Sequence, residues 1–104
     1  MNILITGFAP FGGETINPSY EAVRLLPDEI AGHTIKKQEL PVTFQGAPVL
    51  LAEKVRAIRP DVLISVGQAG GRPDITPELV AINLMDARIP DNDGFSPVDI
   101  PVEK

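Results

Sequence analysis

Sequence patterning predicts an α/β fold: a parallel or mixed sheet with helices on both faces. Three observations carry that expectation. Short apolar runs end in glycine, as at 2–7 and 61–67. Segments of helical period lie between them. Proline and glycine punctuate nearly every junction. The first run, 2–6, reads as a buried strand, and the Gly-, Pro- and Phe-rich stretch 7–16 as a loop. Asn17-Pro18 announces a helix, with Asn17 as cap and Pro18 in the first turn. Its inner face is expected at Ala22, Val23 and Leu26, and Pro27 closes it. Residues 34–42 read as extended. A second helix is expected over 45–59, with Ala47, Leu51, Val55 and Ile58 at helical spacing. Lys54, Arg56 and Arg59 sit near its C-terminal end, where cations are favoured, and Pro60 stops it. The run 61–66 is the clearest strand, expected to be buried, and 79–85 reads as another. From Asp86 onward the chain reads as mostly irregular, with Pro90, Gly94, Pro97 and Pro101.

Strand–helix alternation implies right-handed crossovers. Ligands of such sheets bind beyond the carboxyl ends of the strands. The loops 7–16 and 67–77 both leave from those ends, so the two glycine-rich motifs are expected to meet in space.

Composition narrows the function classes. With 104 residues the chain suits one small domain, and 43% hydrophobic residues suffice for a globular core. No apolar run reaches the roughly 18–20 residues of a membrane span. Residues 1–6 lack the basic n-region and cleavage site of a secretory signal, so a cytoplasmic protein is expected. Zero cysteines exclude disulfides and thiolate metal sites, and His33 alone offers little to zinc. A formal charge of −5 and no basic cluster beyond Lys36-Lys37 leave no footprint for nucleic acid.

The stretch 67–72, Gly-Gln-Ala-Gly-Gly-Arg, follows a strand and invites a phosphate reading. It lacks Gly-Lys-Ser/Thr, and Pro73 and Pro77 interrupt the helix such a site requires. A doubly wound nucleotide-binding domain is disfavoured on that ground. Phe8 and Phe11 either plug the end of the sheet or form the apolar wall of a pocket. Glu78, read alone, is a solvated residue before a strand. Asp86 and Arg88, two apart, share a face of an extended segment. His33 reads as a solvent-facing turn residue.

The stretches 6–13 (Thr-Gly-Phe-Ala-Pro-Phe-Gly-Gly), 67–72 and 77–83 (Pro-Glu-Leu-Val-Ala-Ile-Asn) occur in the order found in one family. Together they make the chain resemble the N-terminal half of pyroglutamyl peptidase I, a cysteine peptidase family that removes N-terminal pyroglutamate. The resemblance covers essentially the whole chain and about half of a complete family member. It implies a phosphorylase/hydrolase-like α/β fold that is incomplete here, residues 1–104 being the N-terminal part of one peptidase domain. It implies pocket roles for Phe8, Phe11, Thr43, Gln68, Arg88 and Ile89, with Gln68 placed to hydrogen-bond the substrate lactam. It implies that Glu78 orients the catalytic histidine. Family members carry Glu-Arg at this point, whereas Leu79 follows Glu78 here. The resemblance implies no cofactor, no metal, and N-terminally pyroglutamylated peptides as substrates. His33 does not match the family's histidine. The nucleophilic cysteine and its histidine would be supplied downstream, so the chain alone is expected to be inactive. The alternative is a non-catalytic module that retains the pocket. Lys104 at the chain end is compatible with cleavage after a basic side chain. With two helices to cover four expected strands, the chain is expected to self-associate or to be held by a complementing C-terminal fragment.

Overall fold

The computed structural model describes residues 1–103; Lys104, and with it the chain end read above, lies outside them. One mixed sheet of four strands is built in the order β2-β3-β1-β4. The strands are β1 (Asn2–Phe8), β2 (Glu29–Ile30), β3 (His33–Leu40) and β4 (Val62–Ser65). The helices are α1 (Pro18–Arg24) and α2 (Gly46–Ile58). Central β1 pairs in parallel with β3 from Asn2↔Thr34 to Phe8↔Leu40, and with β4 from Ile3↔Val62 to Thr6↔Ser65. The short β2 runs antiparallel along β3. It was not expected from the sequence. Two residues give no readable period, and the turn that makes it depends on positive φ at Ala31 (51°) and Gly32 (83°).

The crossover from β1 to β3 runs one way along the sheet, and that from β3 to β4 runs back across β1. With both right-handed, α1 and α2 lie on opposite faces. Alternation along β1 then sorts its side chains. Ile5 packs with Val23 of α1 and Ile35 of β3, joined by Ile3, Tyr20 and Leu26. Leu4 and Thr6, on the other face, are completely buried, as is nearly all of Leu40. A strand buried on both faces has to be apolar without a break, which is why 3–5 reads as a run.

Local chemistry starts and stops each helix. Asn17 is extended (φ −122°, ψ 120°), and its Oδ1 accepts from the Ser19 N–H at 3.0 Å. Gln45 precedes α2 without a side-chain cap, and the Thr43 hydroxyl takes over, accepting from the Gly46 N–H at 2.9 Å. Arg59 closes α2 in the left-handed region, ahead of Pro60. Gly7 is fixed by packing. A β carbon there would lie 2.6 Å from Tyr20 Cα and 2.7 Å from Tyr20 N, so α1 can approach β1 only over a glycine.

Three expectations are corrected. Ala22 faces out, the buried residues of α1 are Ser19 and Val23, and Leu26 packs against the core just beyond the helix. β4 forms where expected but is not buried: it is the edge strand, and Val62, Leu63 and Ile64 are 38–44% exposed. Residues 79–84 form no strand, because no described residue pairs with them, and Leu79 is 96% exposed. The tail is mostly irregular, as expected, and carries one isolated bridge. Met85 and Ile100 exchange backbone hydrogen bonds at 2.6 and 3.0 Å, the Ala87 N–H donates to Pro97 O, and the Asp91 N–H donates to Phe95 O. Residues 85–100 thus fold back on themselves as a loose antiparallel arm.

Candidate active site

Because β1 and β4 are parallel, their following loops emerge from one end of the sheet. The Val66 N–H donates to Thr6 O at 2.9 Å and carries that alignment past the last strand pair. Between the loops lies an open cleft of about 540 Å³. Phe11, Ile16 and Pro18 supply its apolar wall; Gly12, Glu14, Asn17 and Gln68 supply the rest. A second depression of about 580 Å³, at Val55, Arg56, Arg59 and Pro60, sits at the C-terminus of α2. It contains none of the residues singled out above as pocket candidates and adjoins no carboxyl end of a strand.

The cleft brings together Phe11 and Gln68, from loops more than half the chain apart. Phe8 stands beside them: its Cε2 is 4.0 Å from where a β carbon on Gly67 would sit. Thr43 is buried, with its hydroxyl engaged at the start of α2. Glu78 is not in the cleft lining. It stands exposed on the 67–78 loop, with Oε1 3.3 Å from Arg72 Nη1. Arg88 and Ile89 are exposed on the tail arm and likewise do not line the cleft. His33 is half-buried rather than solvent-facing. It opens β3, its Nδ1 is 3.1 Å from the N-terminal amine, and it lies at the opposite end of the sheet from the cleft.

The segment 8–14 is anchored at Phe8, Ala9, Pro10 and Gly12. The Phe8 N–H donates to Ser19 Oγ at 2.8 Å, and Ser19 Oγ donates to Asn17 Oδ1 at 2.8 Å. Asn17 Nδ2 donates to Ala9 O at 3.0 Å, so the cap of α1 also holds the loop. Sequence reasoning missed two further anchors, Asp91 and Asn92. Asn92 donates through Nδ2 to Pro10 O at 2.9 Å, and its Oδ1 faces the Gly12 N–H at 3.4 Å. Asp91 accepts from the backbone N–H groups of Phe44, Asp93 and Phe95 at 2.8–2.9 Å. Burial pushes the Asp91 carboxyl up, but these three donors together outweigh it and hold the group below its ordinary value. The available signal was Asp-Asn-Asp-Gly at 91–94, a turn sequence whose reach to distant loops is invisible locally.

The 67–72 loop does not form a phosphate cradle. Of its glycines only Gly71 has positive φ (84°), and no helix follows. Among the described residues no group of three or more His, Asp or Glu side chains is placed to hold a metal ion. Among the described residues no helix is long and apolar enough to cross a membrane. The chain has no cysteine, and its one histidine is remote from the cleft, so no thiol–imidazole pair can assemble from these residues. What the cleft offers is an aromatic wall, the Gln68 carboxamide and, among its lining, the Glu14 carboxylate.

Fold and cleft together define an open α/β domain with its recess at the carboxyl ends of the strands. Comparison with known proteins makes this specific: the chain belongs to the pyroglutamyl peptidase family, whose profile matches residues 1–104. It is 60% identical over 102 residues to a pyrrolidone-carboxylate peptidase of Thermococcus onnurineus, covering 98% of this chain and 51% of that protein. It is 54% identical over 102 residues to one of Clostridium perfringens, covering 98% of this chain and 48% of that protein. Among solved structures, Bacillus amyloliquefaciens pyroglutamyl peptidase I matches with a TM-score of 0.94 at 48% identity, over 99% of this chain and 50% of that one. The chain spans about half the length of the curated relatives it matches.

Proposed function

We propose that this chain carries the ring-recognition side of a pyroglutamyl peptidase I-type cysteine peptidase and does not hydrolyse substrate by itself. The observation that carries the reading is the shared cleft of Phe11 and Gln68 at the carboxyl ends of β1 and β4. A pyroglutamyl ring is flat and uncharged, with one N–H and one C=O. A site for it wants an apolar wall and a few polar partners. Phe11, with Phe8 beside it, supplies the wall, and Gln68 supplies the hydrogen bonds to the lactam. In the assembled site Thr43 and Ile89 extend the pocket, and Arg88 holds the ligand or an oxyanion. Glu78 orients the imidazole and stabilises its charged form.

In the complete reaction a thiolate attacks the pyroglutamyl carbonyl and forms an acyl-enzyme. The histidine protonates the leaving amine, and water releases pyroglutamate. Both thiol and imidazole must come from outside this chain. The substrates are N-terminally pyroglutamylated peptides, and the setting is cytoplasmic. The apolar flank of β4 is covered by a second copy or by a complementing chain.

The cysteine count of zero also favours a second reading, a non-catalytic module that keeps the pocket and binds pyroglutamyl ends. One experiment separates the two. A pyroglutamyl amide is incubated with the chain alone, then with the chain plus the C-terminal half of a relative. The expected result is no turnover alone and turnover on addition. Ligand binding without restored turnover favours the module. Turnover by the chain alone, surviving rigorous removal of contaminating peptidase, overturns the reading.

A further inference from the structure

The loop bearing Phe11 is not held by the sheet alone. Asn92 reaches it from 80 residues away in sequence and straddles Phe11, with Nδ2 on Pro10 O at 2.9 Å and Oδ1 facing the Gly12 N–H at 3.4 Å. The Asn92 backbone N–H donates to Val42 O at 3.0 Å. Its neighbour Asp91 accepts from the Phe44 N–H at 2.8 Å, from 47 residues away. Two consecutive residues therefore grip two loops at once, the one after β1 and the one after β3. Asp91 also closes their own turn. Asp91 Oδ1 accepts from the Asp93 and Phe95 N–H groups, and the Asp91 N–H donates to Phe95 O, each at 2.9 Å. The Phe95 ring packs edge-on against Phe44, with centroids 6.2 Å apart.

The residue types fit the task. Position 92 must donate to a carbonyl and accept from an N–H, and a carboxamide does both from one side-chain end. At 91 three donors converge, which suits an acceptor-only carboxylate. Every one of these contacts is to backbone, and neither residue lines the cleft.

We propose that Asp91 and Asn92 are positioning residues for the pocket: they clamp the Phe11 loop to the Val42–Phe44 segment and so fix where Phe11 stands opposite Gln68. The inference rests on the reading of the cleft as a pyroglutamyl site.

The test uses the 104-residue chain with free L-pyroglutamate as probe, followed by NMR. Wild type is compared with Asn92→Ala, Asn92→Asp and Asp91→Asn, and with Glu53→Gln on exposed α2 as control. Affinity, amide exchange at Gly12, the Phe11 ring resonances and the urea midpoint are read together. Loss of the Asn92 contacts is expected to weaken binding about tenfold, to speed exchange at Gly12 and to shift the Phe11 ring, in protein that is still fully folded. Asn92→Asp sets an anionic oxygen against the Pro10 carbonyl and should be no better than alanine. Should an Asn92 variant fail to fold, Asp91→Asn carries the test. A lowered midpoint with unchanged affinity of the folded protein overturns the proposal, because it indicates a merely structural role. If wild type does not bind pyroglutamate, the pocket reading fails separately, and the clamp is judged on Gly12 and Phe11 alone. Unchanged signals there overturn it, and changed ones uphold it.

Discussion

The part of the chain up to Leu40 and the part from Val62 onward share one sheet and differ in how they are covered. Among the described residues the buried core hydrophobes Leu4, Ile5, Val23, Ile35 and Leu40 lie in the first part, and the second fully buries Pro97 alone. In the second, Val62, Leu63, Ile64, Leu79, Val80, Ile82 and Leu84 are all exposed, from 38% to 96%. Hydrophobicity is alike in both, so composition does not explain the contrast. Position in the sheet explains Val62, Leu63 and Ile64, and residues 79–84 belong to no strand at all. β1 is flanked on both sides and covered by α1 and α2, whereas β4 is an edge whose outer flank nothing described covers. Apolar residues on an open edge are poised to pair with another chain. The comparison teaches that cover, not composition, separates the two parts, in a chain that spans about half the length of the relatives it matches.

Gly7 and Gly70 give the widest contrast. Gly7→Ala must push backbone apart at 2.6 Å and is expected to cost about 3 kcal/mol or abolish folding. Gly70→Ala meets nothing within 4 Å and should move stability by less than about 0.5 kcal/mol. Equilibrium urea unfolding reads both. The comparison breaks if the two shifts are similar.

Next in size is the hydrophobic pair. Ile35→Ala, at a position 5% exposed, should cost about 2–5 kcal/mol. Ile64→Ala, at 44% exposure on the same sheet, should cost about 1 kcal/mol or less and should weaken self-association. A loss at Ile64 as large as at Ile35, in material shown to be monomeric, would mean that β4 is better buried than its exposure indicates.

A pH titration sharpens the comparison at Asp91, where the tail is tied back to the packed part. Its folded value is depressed, so its contribution is fully present above the unfolded value of about 3.9 and is lost as pH falls through the folded one. Stability should decline below about pH 4, and Asp91→Asn should flatten that decline. Glu21, also held low by its hydrogen bond from Arg24, leaves a residual slope. A variant with the wild-type pH profile would show that Asp91 does not carry the effect. The smallest effect is expected at the exposed pair on the open side: Glu78→Gln should change stability by no more than about 0.5 kcal/mol in the same urea assay.

How much was legible follows the range of each signal. β1, β3 and both helices could be read because caps, prolines and period act within a few residues, as at Asn17-Pro18 and Arg59-Pro60. The run 62–65 identified a strand but not its burial, which depends on what lies beside it. Residues 79–84 have strand composition without a neighbour to pair with, and a strand is defined by its neighbour. The meeting of Phe11 and Gln68 was legible from topology, because parallel strands send both loops to one end. The Asp91–Asn92 clamp was not. Its partners lie 47 and 80 residues away, and nothing local distinguishes it from an ordinary turn.

The central claim, that the β4 flank needs a partner, is tested most directly by sedimentation velocity of the purified 104-residue chain over a range of concentrations, with intact mass recorded on the same material. The account predicts species heavier than the 11.2 kDa monomer, growing with concentration, or a second fragment bound. A cooperative, well-folded monomer at every concentration, with no other chain present, would contradict it.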